Sequence, residues 1–157
     1  MDSLLILTIR TNFTIFDMAR YILDTNIFVF YAEEKDRLNR NVSEILNDYG
    51  NSFCMSSESI KELVVAHSHK GLFGKKWKNP LDMINALEEE YRISILPVDA
   101  NVVKKMSQLE PNTAENHNDP SDLIIIAHAM TLNIPLISSD RKFPFYKKQG
   151  LDLITNY

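Results

Sequence analysis

Apolar residues fall along this chain in two alternating patterns. Short continuous apolar runs at residues 21–23, 53–55, 93–98, 135–137 and 151–154 have the length and composition of buried β-strands. Segments with a helical spacing of apolar residues separate most of these runs. Such alternation predicts an α/β fold, in which a doubly wound parallel sheet is sandwiched between helices in three α/β/α layers.

The helical segments begin and end at residues with suitable capping chemistry. Val42, Ile45, Leu46 and Tyr49 recur at i, i+3, i+4 and i+7, and Gly50 follows them. Four of the predicted helices span residues 26–31, 41–49, 80–91 and 119–132. A fifth begins at a cap formed by Ser56, Ser57 or Ser59, and a sixth begins at a cap formed by Asp99 or Asn101 and ends at residue 109. No repeat or linker interrupts the pattern, so residues 18–157 are predicted to form one domain.

Two acids stand directly after predicted strands. Asp24 follows the apolar run 21–23, and Asp140 follows a later strand and the small residues Ser138 and Ser139. Taken singly, Asp24 is explained equally well as an N-cap and Asp140 as a turn residue. The repetition favours a shared site, because neighbouring parallel strands deliver their carboxyl ends to one edge of a sheet, where ligands bind.

A third acid lies at the start of a very apolar helix. Asp119, Pro120 and Asp122 occupy the first positions of the segment 119–132, which is apolar on nearly every side and is expected to be buried. Asp122 can stabilise the helix dipole there by about 0.3–1 kcal/mol. An acid at the mouth of a buried helix also tends to lie beside a cleft, so Asp122 is a candidate for the same site.

The residues leave a fourth acid open between two glutamates. Glu62 lies opposite the apolar stripe of its helix, and it can form a capping box with Ser59. Both observations predict a solvated Glu62. Glu58, four residues earlier on the same side of the helix, is an equally good candidate on periodicity alone.

Carboxylates gathered at one edge of a sheet need protons or cations between them. Two of them about 4 Å apart repel by roughly 4 kcal/mol at an effective dielectric constant of about 20. Oxygen ligands without histidine or cysteine partners select Mg²⁺ or Mn²⁺. Such ions activate water and stabilise charge on an attacked phosphodiester. The acids therefore predict a metal-dependent enzyme that acts on phosphodiester bonds.

Several basic residues are candidate contacts for a nucleic-acid substrate. Lys75 and Lys76 stand in a loop beside a tryptophan, Arg141 directly follows a site acid, and His117 lies in the loop before the most apolar helix. A solvated loop explains the lysines equally well. His128, inside that helix, is expected to be a hydrogen-bonded core residue.

Composition bounds the setting of the protein. The 157 residues carry a net charge of −4 and one cysteine, Cys54, which fits a reducing, cytoplasmic location. The mild acidity provides no general basic field for nucleic acid. Residues 1–17 form an apolar N-terminal extension without the features of a secretory signal and too short to span a bilayer, so no membrane association is expected.

The motifs taken together resemble those of the PIN domain family. They are residues 21–26 (Tyr-Ile-Leu-Asp-Thr-Asn), the helix start at 59–62, residues 117–122 (His-Asn-Asp-Pro-Ser-Asp) and residues 138–140 (Ser-Ser-Asp). Their order and spacing are similar to the family's over about residues 19–157. The strongest resemblance is to the VapC-type toxins of bacterial toxin–antitoxin pairs.

This resemblance implies an endoribonuclease that cleaves single-stranded RNA with Mg²⁺ or Mn²⁺. The catalytic and metal-site acids that it implies are Asp24, Glu62, Asp122 and Asp140, and it thereby favours Glu62 over Glu58. The residues that would hydrogen-bond these acids are Thr25, Asn26 and Ser138. It further implies a homodimer and a small antitoxin protein whose tail occupies the acidic cleft.

The chain also departs from the family pattern. Ser121 and Leu123 stand where a phenylalanine and an arginine are usual, and Lys61 stands where a tryptophan is common. The missing arginine leaves the details of partner recognition open. Alternative functions are a PIN-like module that binds RNA or protein without cutting, and a housekeeping RNA-processing nuclease. A haloacid-dehalogenase-like phosphatase is disfavoured, because Asn26 stands where its second acid is needed.

Overall fold

The structure, a computed structural model, describes residues 19–157, so the predicted extension at 1–17 lies outside it. Within this range, the strands are β1 (Arg20–Leu23), β2 (Ser52–Ser56), β3 (Ile93–Leu96), β4 (Leu136–Ser138) and β5 (Leu153–Thr155). The α-helices are α1 (Thr25–Glu33), α2 (Arg40–Asn47), α3 (Ser57–Lys70), α4 (Pro80–Glu89), α5 (Ala100–Gln108) and α6 (Pro120–Leu132). All five predicted strands are therefore present.

The strands form one parallel sheet in the order β3-β2-β1-β4-β5. The chain winds outward from β1 to β3 and then returns to build the other half from β4. Strands β1 and β4 pair with Ile22 opposite Leu136 and Leu23 opposite Ile137. In such sheets a crevice opens at the carboxyl ends of the strands where the winding direction reverses. That point lies between β1 and β4.

Alternate side chains of β1 enter two different cores. Leu23 packs with Phe28 and with apolar residues of α2, α3 and α4 on one face of the sheet. Ile22 packs with Ile126 and other α6 residues on the opposite face. Both faces are covered, as period-two alternation in a buried parallel strand requires. This confirms the predicted three-layer α/β/α fold.

Side-chain caps set the start of the helices that matter for the site. Asp24 caps α1, Ser56 caps α3, Asp99 caps α5 and Asp119 caps α6. Each accepts a hydrogen bond from a backbone N–H of the first turn, as capping residues do. No helix in residues 19–157 has both the length and the apolar character that crossing a bilayer requires.

The longest 3₁₀-helix in residues 19–157 was not predicted from the pattern of apolar residues. Residues Phe143–Gln149, between β4 and β5, form a 3₁₀-helix that buries Phe143 and Tyr146 completely. The run contains Pro144 and has no repeated helical stripe, so periodicity gives no signal for it. Its buried tyrosine reaches the site, as described below.

Candidate metal centre

A serine hydroxyl joins the acids that follow β1 and β4. Ser138 Oγ donates a hydrogen bond to Asp24 Oδ2 at 2.6 Å and accepts one from the Asp140 N–H at 3.0 Å. The Thr25 N–H donates to Asp24 Oδ1 at 2.8 Å. Both oxygens of Asp24 are thus held, and the residue is 6% exposed. The sequence prediction that these two acids share one edge of the sheet agrees with this geometry.

Glu62 reaches the same edge from α3. Thr25 Oγ1 donates a hydrogen bond to Glu62 Oε1 at 2.6 Å, and Glu62 is partly buried. The prediction of a solvated Glu62 from its helical periodicity is therefore wrong. Helix α3 packs against both α1 and α6 as well as the sheet, so the side opposite its apolar stripe is covered near its start.

Asp122, at the start of α6, completes the group. One ligand atom from each of His117, Asp122 and Asp140 lies within 4.8 Å of the other two, and within residues 19–157 this is the one group of three such residues close enough to share a metal ion. Asp24 and Glu62 stand just outside this set and connect to it through Ser138 and Thr25. The four predicted acids are thus brought together at one crevice, with His117 beside them.

Burial makes this cluster electrostatically unfavourable when all of its acids are charged. It raises the pKa of Asp24 from its ordinary value of 3.8 to about 7, and the carboxylates of Asp122 and Glu62 act in the same direction. Burial is also the main cause of raised pKa values at Glu62 and Asp122. The hydrogen bonds from Ser138 and Thr25 lower the pKa of Asp24, but they do not cancel the effect of burial.

Glu58, the rival of Glu62 in the sequence, has a different environment. It accepts a hydrogen bond from Ser121 Oγ at 2.6 Å and forms an ion pair with Lys61. Burial alone would raise the pKa of Glu58, but these hydrogen bonds hold it below its ordinary value. The charge of Glu58 is therefore already compensated within the protein, whereas the charge of Glu62 is not.

The predicted substrate contacts are placed unevenly. Arg141 lies at the crevice, exposed, with its guanidinium 4.4 Å from the centre of the Tyr157 ring. Lys76 Nζ instead donates to the Ala32 carbonyl and the Tyr91 hydroxyl, at 3.2 and 2.8 Å. Ala32 is eight residues along α1 from Asp24, or about 12 Å. The structure thus does not bring Lys76 to the site, and Lys75 is exposed in the same loop.

The two histidines near α6 are both buried. His117 is 4% exposed, and its ring nitrogens lie 2.8 Å from Tyr146 Oη and 2.9 Å from Asp122 Oδ2. The prediction that His117 contacts substrate is corrected, because both nitrogens already have partners inside the protein. His128 Nδ1 lies 2.8 Å from Ser56 Oγ, and burial lowers the pKa of this histidine. His128 is thus the hydrogen-bonded core residue that the sequence predicts.

A groove of about 490 Å³ opens beside the cluster. Asn26, which was predicted to hydrogen-bond the acids, is exposed and lines this groove. Its other lining residues are Thr25, Val29, Lys61, Glu62, Leu63, Val65, Ala66, Lys70, Leu72 and Ser121. The groove is apolar along α1 and α3, basic at Lys61 and Lys70, and acidic at Glu62.

Sequence reasoning missed Tyr146, which hydrogen-bonds His117 behind Asp122. Its hydroxyl makes a contact 29 residues away along the chain, and neither apolar spacing nor turn chemistry encodes such a contact. The sequence offers only a weak indication of this role, namely that Tyr146 stands in an apolar run shortly after the site acid Asp140. A buried tyrosine hydroxyl needs a polar partner, and polar groups gather at the site.

Several families of metal-dependent enzymes share a doubly wound α/β fold with acids at the switch point of the sheet. Residues 21–149 match the profile of the family described as PIN domain, and this chain belongs to that family. The match confirms the family that the motifs indicated. Among functionally curated protein sequences, none is a significant match to the chain.

Solved structures with the same fold include toxin–antitoxin complexes. One is VapBC2 from Rickettsia felis bound to a promoter DNA fragment, with a TM-score of 0.63, 22% identity, and coverage of 87% of this chain and 98% of that one. A second is DNA-bound VapBC from Salmonella typhimurium, with a TM-score of 0.64, 21% identity, and coverage of 89% and 100%. VapBC-1 from Haemophilus influenzae has a TM-score of 0.56, 25% identity, and coverage of 87% and 97%.

Proposed function

We propose that this chain is a divalent-metal-dependent endoribonuclease that hydrolyses phosphodiester bonds of single-stranded RNA, and that it is the toxin of a toxin–antitoxin pair. The observation that carries the proposal is the convergence of Asp24, Asp122 and Asp140, with Glu62 alongside, at the switch point of a PIN domain. The motif resemblance to VapC-type toxins and the VapBC structures with the same fold support the toxin assignment.

Mg²⁺ or Mn²⁺ fits the donor set of this site. The groups that would hold the ion are Asp24, Glu62, Asp122 and Asp140, all of them hard oxygen donors. The pKa values of Asp24, Glu62 and Asp122 are raised, which means that bringing these charges together is unfavourable without a cation. When bound, the cation supplies Lewis-acid stabilisation of the charge that develops on the attacked phosphate.

The chain's own hydrogen bonds prepare the acids for that role. Ser138 and the Thr25 N–H hold the two oxygens of Asp24, and Thr25 Oγ1 holds Glu62. Carboxylates fixed in this way need little reorganisation when a phosphodiester binds, which is the main advantage of a preorganised polar site. Thr25 and Ser138 are therefore assigned as orienting residues.

Arg141 and Tyr157 offer a contact for an RNA strand beside the acids. The Asn156 N–H donates to the Ser138 carbonyl at 2.9 Å, which aligns Tyr157 with the segment that carries Asp140. Tyr157 is 47% exposed, and Arg141 lies over its ring. A base can stack on this pair while the arginine contacts the phosphate backbone, a combination typical of single-strand binding.

The groove along α1 and α3 offers a contact for a protein partner. We infer that a small antitoxin fills it, because the groove is apolar along its walls and leads to the acidic residue Glu62. A partner with an apolar segment ending in a basic side chain would match this order of surfaces. The VapBC structures with the same fold, one of them described as a member of a family of toxin–antitoxin systems, support a protein partner of this kind. From the same family resemblance we propose that the protein is cytoplasmic and forms a homodimer.

The proposal is tested by cleavage of a single-stranded RNA in Mn²⁺. Asp24→Asn keeps the oxygen that caps α1, and its amide NH2 can donate to Ser138 Oγ in place of the hydrogen bond that the carboxylate accepts, so we expect the variant to fold without the carboxylate. We expect its cleavage rate to fall by about 10²–10³-fold or more, the range for groups that stabilise transition-state charge. Glu62→Gln is expected to lower the rate as well.

The matched control for Glu62→Gln is Glu58→Gln, four residues earlier on the same helix. Because the charge of Glu58 is compensated by Lys61, its loss is expected to change the rate less than about 3-fold. Wild-type cleavage by Asp24→Asn would refute hydrolysis at this cluster. Binding of RNA without any cleavage by the wild-type protein would instead identify a PIN-like binding module.

A further inference from the structure

A buried tyrosine–histidine pair stands behind one of the acids. Tyr146 Oη lies 2.8 Å from His117 Nδ1, and His117 Nε2 lies 2.9 Å from Asp122 Oδ2. Tyr146 is 0% exposed and His117 is 4% exposed. Both rings are almost completely buried, so this pair contacts the acid from inside the protein.

The hydrogen bonds around Tyr146 indicate which nitrogen of His117 carries the proton. The Asn112 N–H donates to Tyr146 Oη at 3.2 Å. The tyrosine then has its own O–H to donate, and His117 Nδ1 is the acceptor within reach. A neutral imidazole that accepts at Nδ1 carries its hydrogen on Nε2, which donates to Asp122 Oδ2. The Tyr146 hydroxyl and both ring nitrogens of His117 thereby each have a partner.

Aromatic packing fixes the histidine ring in this orientation. The ring centre of His117 lies 5.6 Å from those of both Phe143 and Tyr146. The backbone N–H of His117 also donates to the Asn112 carbonyl at 2.8 Å, and this bond fixes the backbone of the loop that carries the histidine. Phe143 and Tyr146 belong to the 3₁₀-helix that follows Asp140, so one element supports both Asp122 and Asp140.

We propose that His117, oriented by Tyr146, is a positioning residue for the metal centre and is not itself a ligand. It holds Oδ2 of Asp122 and leaves Oδ1 as the oxygen available to a cation. The inference rests on the proposed function above, because it assigns a role toward the same ion. Groups that orient a metal ligand in this way typically contribute 10–100-fold to metal affinity.

Direct ligation by His117 is the competing interpretation, because its ring nitrogen lies within 4.8 Å of ligand atoms of Asp122 and Asp140. It requires a bare Nε2, which moves the hydrogen to Nδ1. Nδ1 would then donate to Tyr146 Oη, which already accepts from Asn112. The buried tyrosine O–H would lose its acceptor, at a cost of about 1–3 kcal/mol.

The experiment measures Mn²⁺ affinity by calorimetry on the full chain. We expect His117→Ala to weaken binding about 10–100-fold, and Tyr146→Phe to weaken it less. His117→Gln offers an amide N–H near the position of Nε2 and should restore most of the affinity. In an Asp122→Asn background, His117→Ala should cause no further loss, because the histidine acts through that carboxylate.

Pulsed electron paramagnetic resonance of the Mn²⁺-loaded wild-type protein supplies a second readout that needs no variant. We expect no coupling from a directly bound histidine nitrogen. Such a coupling, or losses that add in the Asp122→Asn background, would overturn the positioning role while leaving the proposed function intact. Unchanged Mn²⁺ affinity in folded His117→Ala would also overturn it. Failure of the wild-type protein to bind Mn²⁺ would overturn the proposed function and this inference together.

Discussion

Helix α1 separates two regions of different character. At its N-terminal end, burial raises the pKa of Asp24 to about 7 beside other acids. At its C-terminal end, Lys76 donates to the Ala32 carbonyl and lies 5.1 Å from the Trp77 ring centre. We call this second region the aromatic cluster; its rings are Phe28, Tyr31, Phe73, Trp77 and Tyr91.

The difference shows that stability and candidate chemistry lie at opposite ends of one helix. In the aromatic cluster, edge-to-face ring contacts and a lysine that donates to the Ala32 carbonyl at the end of α1 favour the folded state. We call the first region the carboxylate cluster; its acids are Asp24, Glu62, Asp122 and Asp140. Burial of Asp24, Glu62 and Asp122 opposes folding unless a proton or a cation accompanies their charges. Local rules of stability are typically broken at functional sites, and here they are broken at the switch point of the sheet.

The largest expected effect is on the aromatic cluster. Trp77 is 8% exposed and its ring centre lies 5.0 Å from that of Phe73. Trp77→Ala should lower the free energy of unfolding by about 3–5 kcal/mol, because it removes a large buried side chain. Urea denaturation measures this loss. Mn²⁺ affinity of the folded variant should stay within about 2-fold of wild type, and a larger change would mean that the two regions are coupled.

The next effect is a pH dependence that originates in the carboxylate cluster. Because Asp24 holds its proton more tightly in the folded chain, its contribution to stability is full below about pH 4 and is lost as the pH rises to about 7. A pKa rise from 3.8 to about 7 corresponds to about 2–4 kcal/mol after allowance for relaxation. Urea denaturation in a chelator at pH 5 and pH 8 should therefore show a less stable protein at pH 8.

The control for this pH dependence is Asp24→Asn, which cannot ionise. Its loss of stability between pH 5 and pH 8 should be smaller than that of the wild-type protein by about 1–2.5 kcal/mol, because the part of the effect between pH 3.8 and pH 5 is already lost at pH 5. If the two proteins respond equally to pH, the ionisation of Asp24 does not carry the effect, and another buried group must be responsible.

The smallest effect concerns RNA binding and uses two exposed tyrosines. Tyr157 lies at the carboxyl edge of the sheet, whereas Tyr49 precedes β2 and lies at the amino edge. Tyr157→Ala should weaken binding of single-stranded RNA by about 1–3 kcal/mol, the usual value of one stacked base. Tyr49→Ala is the matched control and should leave affinity unchanged in a filter-binding or fluorescence assay.

The same comparison extends to two cations stacked on aromatic rings. Arg141→Gln should weaken RNA binding and reduce its dependence on salt. Lys76→Gln should leave RNA binding unchanged and lower thermal stability slightly, because Lys76 caps α1. Equal losses of RNA affinity in both variants would show that the strand passes the aromatic cluster as well.

The fold was largely predictable because the sheet is buried on both faces. Each strand had to be a compact apolar run, and the five runs in residues 19–157 are the five strands. The 3₁₀-helix Phe143–Gln149 was missed, because its packing depends on partners in α6 and in the loop that carries His117. Such contacts join distant parts of the chain and leave no periodic trace in the sequence.

The candidate site was predictable where chemistry coincides with a strand end, and less so elsewhere. Asp24 and Asp140 end strands, so the topology of the sheet brings them together. Periodicity failed for Glu62, because it assumes that a helix has one covered side, and only the family resemblance placed it. The prediction for Lys76 rested on lysines beside a tryptophan in a loop, and this local pattern does not reveal that Lys76 reaches the Ala32 carbonyl and the Tyr91 hydroxyl.

The N-cap of α1 has a consequence for how such a protein accumulates inactivating mutations. Asp24 both begins the helix and belongs to the carboxylate cluster, so under the proposed function one side chain serves both folding and activity. Asparagine, serine and threonine keep the cap and discard the charge, while alanine or valine also loses about 1 kcal/mol of helix stability. If the proposed activity harms the cell, mutations at Asp24 that restore growth should fall into two groups. Replacement by asparagine, serine or threonine should give an inactive protein that folds well, and replacement by alanine or valine should give one that accumulates poorly.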